Sequence, residues 1–126
     1  MPITSIHHVS VIVSDTRRAL DFYAGVLGLP VNDRRPDLGY PGAWLDIGGG
    51  QLHLLELPNP DPVQGRPAHG GRDRHLALAV TDLDGLREAL ECAGVDFTSS
   101  RSGRRALFCR DPDGNALEMV EVPGGR

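Results

Sequence analysis

His8-Val9-Ser10-Val11-Ile12-Val13-Ser14-Asp15 returns 67 positions later as His75-Leu76-Ala77-Leu78-Ala79-Val80-Thr81-Asp82. Each octet opens on a histidine, runs through alternating aliphatic residues and closes on a hydroxyl residue followed by aspartate. A second match, Gln51-Leu52-His53-Leu54-Leu55-Glu56-Leu57-Pro58 with Ala116-Leu117-Glu118-Met119-Val120-Glu121-Val122-Pro123, keeps the same order at an offset of 65. Two matched segments in one order indicate a duplicated module of about sixty residues.

Both copies read alike. A strand comes first (Ile6 to Val13; Arg74 to Val80), and its period of two sets His8, Ser10 and Ile12 on one face and Val9, Val11 and Val13 on the other. A helix follows, with Ser14-Asp15 or Thr81-Asp82 as N-cap candidates. Its apolar stripe is Ala19, Tyr23 and Val26-Leu27, or Leu83, Leu86, Leu90 and Ala93, and Gly28 or Gly94 stops it. Three short strands complete each module: Val31 to Arg34, Ala43 to Ile47 and Gln51 to Leu57, then Asp96 to Ser99, Arg105 to Arg110 and Asn115 to Val122. Gly48-Gly49-Gly50 and Asp111-Pro112-Asp113-Gly114 read as the hairpin turns. The fold class is therefore α+β, a βαβββ module twice. Residues 1–126 form one domain, with module 1 at 5–57, a linker at 58–73 and module 2 at 74–123. The linker is rich in proline and glycine and, at sixteen residues, long enough to cover a cavity mouth or to set how the modules pair.

Composition narrows the function. A chain of 126 residues with 40% hydrophobic content can bury a core without disulfides. Thirteen basic against seventeen acidic side chains give a net charge of −4, with the positives scattered, so no nucleic acid or acidic membrane is expected as a partner. All the cations are arginine, which excludes Schiff-base chemistry and lysine-bearing phosphate loops. The longest apolar run is too short to span a bilayer and the N-terminus lacks the marks of a secretion signal, so a cytoplasmic protein is expected. Cys92 and Cys109 read as reduced thiols in apolar surroundings.

Polar residues that interrupt apolar strands carry the chemical signal. His8 and His75 are equivalent by the repeat, and so are His53 and Glu118. A histidine or carboxylate beside small residues on four strands describes a polar patch inside a concave sheet, where plain core would place leucines. Three imidazoles and a carboxylate suit one divalent metal with N and O ligands. A lone histidine in a strand is more often a hydrogen-bonded structural residue; the paired positions favour the metal reading, with His53 its weakest member. Other residues take plainer readings. His7 points away from His8, His69 is solvated in the linker, and Glu56 and Glu121 lie on the outside. Asp111-Pro112-Asp113-Gly114 is a type I turn without calcium-loop spacing. Gly48-Gly49-Gly50 opens no helix and is no nucleotide loop. Arg101, Arg104, Arg105 and Arg110 can clamp an anionic substrate but read first as solvated turn residues. Trp44 and Phe108 fall one position out of step, so at most one should line the cavity.

The duplicated module, the His8-Val9 strand, the Ala19-Leu20-Asp21-Phe22-Tyr23 helix with Val26-Leu27-Gly28-Leu29, and the closing Asp111-Pro112-Asp113-Gly114-Asn115-Ala116-Leu117-Glu118 together resemble the vicinal oxygen chelate superfamily. This group contains glyoxalase I, extradiol dioxygenases and bleomycin-binding proteins. The resemblance implies a curved mixed sheet around a cavity. It also implies a divalent metal (Zn, Ni, Mn or Fe) held by His8, His53, His75 and Glu118, with Glu118 doubling as catalytic base. The implied chemistry is chelation of two neighbouring oxygens of a small-molecule substrate, in a lyase, isomerase or dioxygenase. His53 stands where glyoxalase I-like members carry glutamate, which removes a proton-transfer base and speaks against lactoylglutathione lyase activity. If only His8, His75 and Glu118 bind, the set suits Fe(II) and oxygen chemistry. A homodimer is expected, with the site drawn from one chain or two. The competing class is a non-catalytic small-molecule or drug-binding protein of the bleomycin-resistance type.

Overall fold

The computed structural model describes residues 2–100 and 102–124; of the residues singled out above, Arg101 lies outside the described set. The chain divides into two compact units, Met1–Asp61 and Pro62–Arg126, so the boundary falls inside the expected linker and most of that segment folds with the second unit.

In the first unit, strand β1 (His8–Val13) leads into helix α1 (Thr16–Leu20), which continues as a π-helical stretch over Asp21–Val26; β2 (Val31–Asn32), β3 (Gly42–Ile47) and β4 (Gly50–Glu56) follow. The sheet order is β1-β4-β3-β2, with β1 parallel to β4 and the other pairs antiparallel. The second unit repeats this plan. Strand β5 (His75–Val80), helix α2 (Leu83–Cys92) and strands β6 (Phe97–Ser99), β7 (Ala106–Arg110) and β8 (Ala116–Glu121) form a sheet of order β5-β8-β7-β6. The βαβββ modules are thus realised as two four-stranded mixed sheets, each hydrogen-bonded within its own unit.

Each helix begins where two carboxylates meet its free N–H groups. The Asp15 side chain accepts from Arg18 N at 3.1 Å and that of Asp82 from Gly85 N at 2.9 Å, as expected of N-caps. Glu56 Oε1 accepts from Thr16 N at 2.8 Å, and Glu121 Oε2 from Leu83 N at 3.0 Å. These two glutamates therefore face the helix layer of their module, not open solvent, and complement the positive end of the helix. Gly28 and Gly94 end the helical segments at φ of 77° and 70°, a region costly for other residues.

The first helix departs from regular spacing. Leu27 N donates to Phe22 O at 2.9 Å, an i to i−5 bond. Phe22 and Tyr23, three and four residues after Ala19, are buried with it on one stripe, and Val26 and Leu27 at the wider turn are half-buried. In α2, Leu83 and Leu90 are buried, while Ala93 and Cys92 are exposed, so only Cys109 has the surroundings expected of both cysteines. The strand faces opposite the sites make the core: Val13, Leu45, Leu52 and Leu54 in the first unit, and Leu107, Leu117 and Met119 in the second. Full burial of such a side chain contributes about 1.5–3 kcal/mol.

Trp44 and Phe108 prove to be in step. Trp44 pairs with His53 across β3–β4, and Phe108 pairs with Glu118 across β7–β8. The β3–β4 turn has two residues between Ile47 and Gly50, whereas five residues, Asp111 to Asn115, separate Arg110 from Ala116. Unequal turns change the sequence offset without changing the register. Among the described residues no helix is long and apolar enough to cross a membrane.

Candidate metal centre

Register puts the two donor pairs in the same relation. Ser10 faces His53 across the parallel β1–β4 ladder, and Ala77 faces Glu118 across β5–β8. His8 and His75 each stand two residues earlier on the same face, so each is the diagonal neighbour of its partner. Ser10 and Ala77, opposite His53 and Glu118, are both small.

In the first unit the rings stack. His8 lies on His53 with centroids 4.0 Å apart and planes 16° apart, and Trp44 covers the other face of His53 at 4.5 Å and 8°. Contrary to expectation, His7 does not turn away: its Nδ1 lies 2.9 Å from His8 Nδ1. His53 Nε2 is 2.9 Å from Gln51 Oε1. The Gln51 amide is oriented because its Nε2 donates to Asp46 Oδ1 at 3.3 Å, an oxygen that also accepts from Asn32 Nδ2 at 3.0 Å. An amide oxygen can only accept, so Nε2 of His53 carries hydrogen and Nδ1 holds the lone pair. Burial first, and then the charges of His8, His7 and Arg35, push the His53 pKa below the ordinary histidine value, which keeps the ring neutral.

In the second unit His75 Nε2 lies 3.2 Å from Glu118 Oε1. His75 Nδ1 is 2.9 Å from the carbonyl oxygen of Asp73, which holds a proton on Nδ1, so that in the neutral ring Nε2 is the lone-pair atom. Glu118 Oε2 accepts from Arg104 Nη2 at 3.0 Å, and the Glu118 side chain is only 5% exposed. The Phe108 ring meets His75 edge-on at 5.3 Å and His69 at 4.9 Å. His69 is thus held in the structure, with Nδ1 accepting from Gly71 N at 3.0 Å. A cavity of about 300 Å³ opens beside Phe108, walled by the linker residues Ala68 and Gly70 and by Thr98 on β6.

Three arginines before the last strand, Arg104, Arg105 and Arg110, are engaged. Arg105 pairs with Glu121 and Asp84. Arg110 binds Asp73 at 2.8 Å and the Pro67 carbonyl at 2.6 Å, which ties the linker to β7 and holds the Asp73 carboxyl below its usual range. Among the described arginines of this cluster, Arg104, 60% exposed, is the one that reaches a candidate site residue.

The donor chemistry fits a metal in one half and not in the other. Two atoms bound to one ion at about 2.0–2.1 Å, with an angle near tetrahedral or right-angled, lie about 2.9–3.4 Å apart; the His75–Glu118 spacing of 3.2 Å falls in that range. Near-parallel rings aim their in-plane lone pairs in parallel, so His8 and His53 cannot address one atom while stacked. Among the described residues no three His, Cys, Asp or Glu side chains form a group able to hold an ion. Sequence reasoning missed Trp44, Gln51, Asp73 and Arg104 as partners of these side chains; Gln51 was open to detection, two residues from His53 on one strand face.

Two βαβββ units, each presenting a donor pair from the first and last strands of a mixed sheet, define a class of duplicated-module proteins with a polar sheet face. The profile of the Glyoxalase/Bleomycin resistance protein/Dioxygenase superfamily matches residues 5–119, and the chain belongs to that superfamily. Glyoxylase I 4 of Arabidopsis thaliana is 33% identical over 124 residues, spanning 93% of this chain and 70% of the relative. YwkD of Bacillus subtilis (strain 168) is 34% identical over 128 residues, 96% of this chain and 99% of the relative. The crystal structure of a glyoxalase family protein from Bacillus anthracis superimposes with a TM-score of 0.77 at 23% identity, over 94% of this chain and 95% of the other, a likeness of fold.

Proposed function

We propose that the chain is a metal-dependent enzyme that chelates neighbouring oxygens of a small metabolite on a divalent ion, Zn, Ni, Mn or Fe, and acts as a lyase, isomerase or dioxygenase. The ligands are drawn from His8, His53, His75 and Glu118. One observation carries the reading: with its proton held on Nδ1 by the Asp73 carbonyl, His75 turns a bare Nε2 toward a carboxylate oxygen 3.2 Å away. Two lone pairs at that distance repel unless a cation lies between them or the ring takes a second proton. The family supports the same reading.

When bound, the ion supplies Lewis-acid polarisation of the substrate oxygens. The protein supplies the rest. Asp73 orients His75, the Glu118 carboxylate takes a proton from the substrate as base, and the cavity beside Phe108, whose ring meets His75 edge-on, receives the remainder of a small substrate. Exposed site faces at His8, Ser10, His75 and Ala77 support a homodimer that covers them, and two free cysteines support a reducing, cytoplasmic setting.

The stacked His8, His53 and Trp44 rings favour a second reading, a metal-free module that binds planar small molecules. Elemental analysis and thermal melting with Ni²⁺, Zn²⁺, Mn²⁺ and Fe²⁺ separate the two. Metal in the purified protein, or a melting point raised by one of these ions and not raised in His75→Ala, supports the enzyme. Metal-free protein indifferent to all four ions supports the binding module.

A further inference from the structure

We infer that Arg104 is a positioning residue that reserves one oxygen of Glu118, so that the carboxylate can offer only the other to an ion. The inference rests on the proposed metal role of His75 and Glu118. Glu118 is nearly enclosed, yet its two oxygens meet different partners: Oε1 faces His75 Nε2 at 3.2 Å, and Oε2 accepts from Arg104 Nη2 at 3.0 Å. Arg104 comes from the loop before β7, while His75 comes from β5, on the other side of β8 in the sheet. The carboxylate is therefore held between two elements, and rotation about its terminal torsion breaks one contact or the other.

A carboxylate binds an ion through one oxygen or through both. Two-oxygen binding requires Oε2 to turn from the guanidinium and leave a charge-assisted hydrogen bond. Arg104 stays 60% exposed, so it holds Oε2 without burying its own charge. The equivalent position of the first unit is His53, which Gln51 orients through an amide; each last-strand site residue thus has a polar neighbour that fixes its presented atom.

The test is Co²⁺ titration of the full chain, followed by visible absorption and by chelator competition, in wild type, R104A, R104K and E118Q. In R104A the freed Oε2 joins the ion, so the visible bands weaken per bound Co²⁺ as the coordination number rises, and the added donor tightens binding relative to wild type. R104K keeps a cation on Oε2 and retains the wild-type spectrum. A wild-type spectrum and affinity in R104A overturn the inference while leaving the metal site in place. No Co²⁺ binding by the wild type, or undiminished binding by E118Q, removes the metal role of Glu118 and this inference with it.

Discussion

His75 and Glu118 stand in the relation that His8 and His53 repeat: each histidine lies two residues before the position paired with its partner across a parallel ladder. The contacts then diverge. Imidazole against carboxylate closes to 3.2 Å between polar atoms, whereas imidazole against imidazole stacks face to face at 4.0 Å. The two halves share one frame, and histidine at 53 against glutamate at 118 gives them different contacts.

The hydrogen-bond partners fix opposite tautomers. Nitrogen-15 NMR of the Zn²⁺-loaded protein is expected to show hydrogen on Nδ1 of His75 and on Nε2 of His53, because one faces a carbonyl of Asp73 and the other the oxygen of Gln51. In Gln51→Leu the His53 preference should weaken and the His75 pattern should stay.

Truncation of Glu56 to alanine removes an acceptor from the first N–H of α1. A loss of about 1 kcal/mol in chemical denaturation is expected, the size of a helix cap. Metal affinity should stay unchanged, since Glu56 lies on the opposite strand face from His53.

Acid should weaken the second unit through Glu121. Hydrogen bonds from Arg105, then from Leu83 N–H, hold its carboxyl pKa below the ordinary value of 4.5. A depressed carboxyl favours the folded state above its unfolded pKa, and that contribution fades as pH falls from about 4.5 through the lower folded value. Denaturation across pH 7 to 3 should show Glu121→Gln losing less stability on acidification than the wild type over that window.

The cysteines should react at very different rates. Burial, and then the charge of Asp111, push the Cys109 thiol up to about 12, whereas Cys92 is exposed at the end of α2. One equivalent of a thiol reagent at pH 8 is expected to label Cys92 alone, with Cys109 reacting only on denaturation; mass spectrometry of the labelled peptides checks this.

Much of the fold was legible because burial on one face imposes a period of two, and the duplicated octets carry that period openly. His8, His53, His75 and Glu118 stood out as candidates for the same reason, as polar breaks in apolar strands, and the structure brings them together in two separate pairs. What escaped depends on contacts distant in sequence. The pairing of Trp44 with His53 and of Phe108 with Glu118 was hidden by the unequal turns. The capping role of Glu56 spans 40 residues to Thr16, and the hold of Arg104 on Glu118 spans 14. Phe22 was open to detection, since it lies three residues after Ala19 and falls on the same helical stripe.

Zn²⁺ affinity of the wild type against E118Q and H75A, measured by chelator competition, bears most directly on the central claim. Removal of either donor should weaken binding by at least about tenfold, the lower bound set by losses of mere orienting partners. Equal affinity in all three proteins, or none in the wild type, would contradict a shared ion at His75 and Glu118.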